Sequence, residues 1–135
     1  MKTALVLALA LTGCGLSTKT PPPKGETTVS SVITLTNASF PALKAQGKPV
    51  LMDFWAPWCG PCRQQGPIIE QVAADLGAAA MIAKVNVDDE KELARDFGIQ
   101  AIPTLLLLKD GAVVQRFVGV QTADDLRHAV QSTIR

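Results

Sequence analysis

From Val29 onward the apolar residues fall into short blocks whose spacing alternates between a strand-like run and a helical stripe. Val32-Ile33-Thr34-Leu35 reads as a strand, after which Asn37 can cap a short helix that continues through Leu43 and stops at Gly47. Pro49 to Trp55 is the next strand. Its Val50-Leu51-Met52-Asp53-Phe54-Trp55 run is apolar on both faces except for Asp53, the pattern of a central strand covered on both sides, so Asp53 is expected to be buried. A helix from about Cys59 to Leu76 follows, with Ile68, Ile69, Val72 and Leu76 at helical spacing and Pro67 inside it. Met81 to Val87 is a third strand, and Glu90 to Phe97 a short helix closed by Gly98.

Thr104 to Lys109 and Ala112 to Val118 flank Asp110-Gly111, a hairpin signal. Thr122-Ala123-Asp124-Asp125 opens the last helix in a pattern like a capping box, and Leu126, Ala129, Val130 and Ile134 are its expected buried stripe. The order βαβαβαββα predicts an α/β sandwich, in which pattern alone commits only the hairpin strands to antiparallel pairing. His128 and the group Lys91, Glu92, Arg95 and Asp96 read as solvated surface.

The segment before Val29 has a different character. Lys2 precedes an uncharged apolar run from Ala4 to Leu11, then small residues and Cys14, which reads as a secretory signal over residues 1–13. A bilayer-spanning helix needs about 20 apolar residues, so this run is an address and not a permanent span. Leu11-Thr12-Gly13-Cys14 resembles the bacterial lipobox, which implies cleavage before Cys14, diacylation of its thiol and a membrane anchor. Residues 14–28, rich in Pro and Thr and without hydrophobic period, form a flexible tether, leaving residues 29–135 as the folded domain. Gly15 stands where an Asp favours inner-membrane retention in enteric bacteria, so the expected location is extracytoplasmic, at the periplasmic face of the outer membrane in a Gram-negative host.

Composition narrows the chemistry. The chain has 135 residues with a formal net charge of +1, 47% hydrophobic and 4% aromatic residues. That allows one domain with a real core and gives no surplus of positive charge for nucleic acid. Three cysteines are too few for a disulfide-stapled scaffold, and Cys59, Cys62 and the single His128 are too few soft ligands for a zinc site. Cys59 and Cys62 sit three residues apart at a strand-to-helix junction, where they share a helix face. Free N–H groups and the helix dipole stabilise an anion at Cys59, making it a nucleophile near neutral pH. Cys62 is placed to attack a mixed disulfide formed on Cys59. Asp53, partly desolvated and with a raised pKa, can accept the Cys62 proton.

The run Trp58-Cys59-Gly60-Pro61-Cys62 resembles the thioredoxin active-site motif, and the resemblance covers residues 32–135. Phe54-Trp55-Ala56 before it, Pro67, Ala83-Lys84-Val85-Asn86-Val87-Asp88, Gly98-Ile99-Gln100-Ala101-Ile102-Pro103-Thr104, Asp110-Gly111 and Val118-Gly119 match in order. The resemblance implies a thioredoxin fold with a central mixed sheet, supports Asp53 as proton acceptor and makes Lys84 the residue that tunes it. It also implies a cis bond before Pro103 and a shallow apolar substrate groove formed by Gly60, Pro61, Ile102, Pro103 and Gly119. Trp58 adds substrate contact, and Trp55 is packing. It further implies a monomer with no bound cofactor, the Cys59–Cys62 disulfide serving instead, and protein disulfides as substrates. A membrane-tethered reductase outside the cytoplasm needs a transmembrane thiol–disulfide electron donor. A disulfide isomerase or oxidase is the alternative within the chemistry, and a binding or folding-assistance module the alternative outside it.

Overall fold

The computed structural model describes residues 31–135. The expectations for residues 1–13, for Cys14 and for the whole tether lie outside the described residues. Five strands and four helices alternate in the order expected: β1 (Val32–Thr34), α1 (Phe40–Lys44), β2 (Val50–Trp55), α2 (Gly60–Leu76), β3 (Met81–Asn86), α3 (Lys91–Asp96), β4 (Thr104–Lys109), β5 (Ala112–Val118) and α4 (Ala123–Ile134). A 3-10 turn, Gly77–Ala79, closes α2. The sheet order is β1-β3-β2-β4-β5. β3 runs parallel to both β1 and β2, whereas β4 is antiparallel to β2 and to β5. The mixed sheet of the thioredoxin fold is therefore present.

Period-two alternation on the two central strands builds both cores. Leu51, Leu105 and Leu107 face α2 and α4, packing on Ile69, Val72, Leu76, Leu126 and Val130. Val50, Met52, Phe54, Leu106 and Leu108 face α1 and α3, packing on Leu43 and Leu93. This double coverage is why β2 reads as an unbroken apolar run. Asp53 falls on the Leu51 face, the side of α2, and is fully buried.

Local turn chemistry follows the sequence at two of the three helix starts that carried a signal. Thr122 caps α4, accepting from the Asp125 N–H at 3.2 Å while its hydroxyl donates to the Asp125 carboxylate at 2.7 Å. Cys59 occupies the N-cap of α2. Asn37 does not cap α1. Its backbone N–H and side-chain amide donate to Glu90 and Glu92, each at 2.8 Å, tying the entry of α1 to the start of α3. Thr36 and Ser39 make the turn instead, each backbone N–H donating to the other's hydroxyl. Ile134 also departs from expectation: it is 44% exposed at the last position of α4, beyond the Leu126, Ala129 and Val130 that the helix buries. At the hairpin, Asp110 and Gly111 both take positive φ (51° and 80°), the turn that Asp-Gly favours. A bulge at Val114 shifts the β4–β5 register between Leu107 and Leu108.

Candidate active site

β2 delivers the chain to the C-terminal edge of the sheet, where Ala56 to Cys59 turn it into α2; the Cys59 N–H donates to the Ala56 carbonyl at 3.2 Å. Pro61 stands in the first helical turn, where its missing N–H costs nothing. Cys59 and Cys62 are joined by a disulfide, with Cα atoms 5.3 Å apart. The Cys62 N–H points at Cys59 Sγ, 3.3 Å away, so the helix terminus donates to the sulfur that would carry negative charge after reduction. Burial does not separate the two cysteines. Cys59 and Cys62 are 5% and 4% exposed, because both cluster with Ala56 under Trp55, Val87 and Ile102.

Asp53 lies on β2, three residues before Ala56. Both of its carboxylate oxygens are buried without a hydrogen-bond partner. Burial raises its pKa to about 7, against the opposing pull of the Lys84 charge. Lys84 is its cross-strand neighbour on β3 but does not bond to it. The Lys84 ammonium lies 4.5 Å over the Trp55 ring, under α2, where a Cβ on Gly66 would come within 3.9 Å of it. Trp55 thus does more than pack: it holds the cation that acts on Asp53.

The Ile102–Pro103 bond is cis, and the Ile102 carbonyl oxygen lies 3.8 Å from Cys59 Sγ. Thr104 donates to the Ala101 carbonyl at 2.6 Å, and Arg116 on β5 donates to the Phe97 carbonyl at 2.6 Å, so the 97–104 segment is held from both ends. The Gly119 N–H donates to the Pro103 carbonyl at 2.8 Å, with φ +90° at Gly119. Trp58 is 68% exposed, yet its indole N–H donates to the Asp88 carboxylate at 3.0 Å.

A groove of about 180 Å³ opens beside Cys59, lined by Trp58, Val87, Ala94, Ile99 and Ile102 among others. Of the residues expected to form a groove, Ile102 lines this one. Gly60 and Pro61 are exposed on the first turn of α2, Pro103 is buried and Gly119 half-buried. Nothing in the sequence marks Val87, Ala94 and Ile99 as lining residues, because each looks like ordinary helix or strand packing. Gln65 was missed too. It is a fully buried amide one turn beyond Cys62, and the signal was its place in the stripe Cys62, Gln65, Ile69, Val72, Leu76. His128, Lys91, Glu92, Arg95 and Asp96 are exposed, as expected.

A sequence model of the Thioredoxin family matches residues 31–132. The chain belongs to the thioredoxin family. It is 42% identical over 100 residues to thioredoxin of Bacillus subtilis (strain 168), covering 74% of this chain and 95% of that one. To thioredoxin of Haemophilus influenzae it is 37% identical over 107 residues, covering 78% of this chain and all of the relative. The solved structure of Malassezia sympodialis thioredoxin superposes with a TM-score of 0.71 at 32% identity, covering 78% of this chain and 92% of that one. This thioredoxin is accordingly a thiol–disulfide oxidoreductase of the disulfide-reducing type, acting on protein disulfides through the Cys59–Cys62 pair. Members of the family use that redox-active disulfide and no cofactor. Among the described residues no cluster of His, Cys, Asp or Glu could hold a metal ion, and no helix is long and apolar enough to cross a membrane.

Proposed function

We propose that this thioredoxin works outside the cytoplasm as a monomer, held to a membrane by lipid on Cys14, and reduces disulfides in proteins at that face. The chemistry rests on one observation, the Cys59–Cys62 disulfide at the N-terminus of α2 above a buried, unpartnered Asp53. The location rests on the sequence of residues 1–28, a signal, a lipobox and a Pro/Thr-rich tether.

In the reduced protein, Cys59 attacks as the thiolate, favoured by the Cys62 N–H and the helix dipole. Its sulfur forms a bond to one substrate sulfur and the substrate disulfide breaks, the second substrate sulfur leaving as a thiolate that takes a proton from water. Asp53 then takes the proton of Cys62, its pKa of about 7 suiting it to accept and return a proton near neutrality. The Cys62 thiolate attacks Cys59 Sγ and expels the remaining substrate thiolate. Two electrons have moved to the substrate, and the protein holds the Cys59–Cys62 disulfide. Lys84 tunes the step by favouring the charged form of Asp53. Trp58, Gly60, Pro61, Ile102, Pro103 and Gly119 contact the substrate, the Ile102 backbone meeting an extended segment beside the attacked sulfur. Two electrons must return for each turnover, and a transmembrane thiol–disulfide carrier supplies them.

The test has two arms on the full chain. A Cys59–Cys62 reduction potential below that of the glutathione couple is expected, and a value above it reverses the direction to oxidation or isomerisation. Cells expressing Cys14→Ser should lose acyl labelling and membrane association of the protein. Unchanged labelling would sink the lipid anchor.

A further inference from the structure

The inside of α2 carries one side chain that its packing does not explain. Gln65 falls in the buried stripe between Cys62 and Ile69 and is 0% exposed. A buried amide is costly unless both of its ends are bonded. Here both ends meet the backbone of one residue 56 positions away: the Gln121 N–H donates to Gln65 Oε1 at 2.7 Å, and Gln65 Nε2 donates to the Gln121 carbonyl at 3.4 Å. The backbone N–H can only donate, so the amide oxygen must face it, and the orientation of the Gln65 head group is fixed. Gln65 therefore pairs with the loop between β5 and α4 as a neighbouring strand would.

The bonds continue from there toward the disulfide. The Gln121 side-chain amide donates to the Gly119 carbonyl at 3.2 Å, and the Gly119 N–H donates to the Pro103 carbonyl at 2.8 Å. Pro103 follows Ile102, whose carbonyl oxygen lies 3.8 Å from Cys59 Sγ. Cys59, one turn from Cys62, closes a ring that leaves α2 at Gln65 and returns to it at the nucleophile. We propose that Gln65 is a positioning residue for substrate binding: through Gln121 and Gly119 it fixes the segment carrying Ile102 and Pro103 at one distance from the cysteine pair. An apolar residue at the same place would fill the core and leave Gln121 unpaired, with the Gly119 loop held to α2 by packing alone.

The proposal rests on the reading of this segment as the substrate contact. The full chain, Gln65→Met and Gln121→Ala are compared for reduction of insulin disulfides with dithiothreitol as electron source, and Gln121 and Gly119 amide hydrogen exchange is followed by NMR. Gln65→Met keeps the volume and deletes both bonds. It should raise KM roughly five-fold with kcat within about two-fold, and speed Gln121 exchange by about ten-fold. Gln121→Ala changes only a half-buried loop side chain and should raise KM by about two-fold to three-fold while speeding Gly119 exchange. An unchanged KM in both variants overturns the proposal, as does unchanged Gln121 exchange in Gln65→Met. If Gln65→Met does not fold, the KM of Gln121→Ala decides alone. If the full chain reduces no protein disulfide, the functional reading fails, and the exchange readout still decides whether Gln65 holds the loop.

Discussion

Asp53 and Gln65 are, among the described residues, the two polar side chains with no exposed surface, and they are buried in opposite ways. Gln65 has both ends bonded, whereas Asp53 has neither oxygen bonded, so its burial appears as a shifted pKa. The sign follows from the direction. A carboxyl whose folded pKa is about 7 against an ordinary 3.8 adds no cost below pH 3.8, and costs progressively more as pH rises through 7. The full cost at alkaline pH is about 4 kcal/mol. Asp53→Asn should therefore gain stability over the parent by roughly that amount between pH 4 and pH 8.5, read from denaturant midpoints. A parallel pair of curves would show that Asp53 titrates normally. The same substitution removes the group proposed to accept the Cys62 proton and should slow turnover at neutral pH by about 100-fold, measured as kcat for insulin reduction. Lys84→Met removes the charge that lowers the Asp53 pKa, so the loss of stability that begins near pH 3.8 should continue to higher pH and become larger. The burial of Asp53 was legible because nothing polar flanks it on β2. The bonding of Gln65 was not, since its partner lies 56 residues away.

Among the elements, those defined by period were legible to within a few residues, and those defined by competing partners were not. β2, α2, β4 and β5 follow the apolar spacing, and the Asp110-Gly111 turn follows from the φ values its residues tolerate. Asn37 has the chemistry of a cap, but Glu90 and Glu92 take its donors, and no local pattern announces a partner on α3. Thr122 shows the opposite case, a local signal with no rival. Its hydroxyl satisfies one N–H at the start of α4, so Thr122→Ala should cost about 1 kcal/mol. The measurement is a shift of the urea midpoint with the slope unchanged. Because Leu126 and Val130 of α4 pack in the core with Leu51 of β2 and with Ile69 and Val72 of α2, and are not among the residues packed around the cysteine pair, kcat for insulin reduction should stay within about two-fold.

For the molecule as a whole, the antiparallel pairing of β4 with β2 is what the linear pattern could not supply. Only the hairpin carries its own direction in the sequence; β4 reaches β2 through a crossover and the cis bond before Pro103. That arrangement sets the segment carrying Ile102 beside Cys59, at the same edge of the sheet where β2 ends. The family match begins at residue 31, next to Val32, which opens β1 at the edge of the sheet. Folding and redox chemistry should then be independent of the segment proposed to reach the membrane. A chain reduced to residues 29–135 is expected to melt within about 2 °C of the full chain and to reduce insulin with kcat/KM within about two-fold. In cells the same truncation should leave the membrane fraction, and reduction of membrane-proximal substrates should fall although the enzyme is intact. A truncated domain that melts well below the full chain would mean that residues 1–28 pack on the sheet and are part of the fold, and the division between tether and domain would have to move.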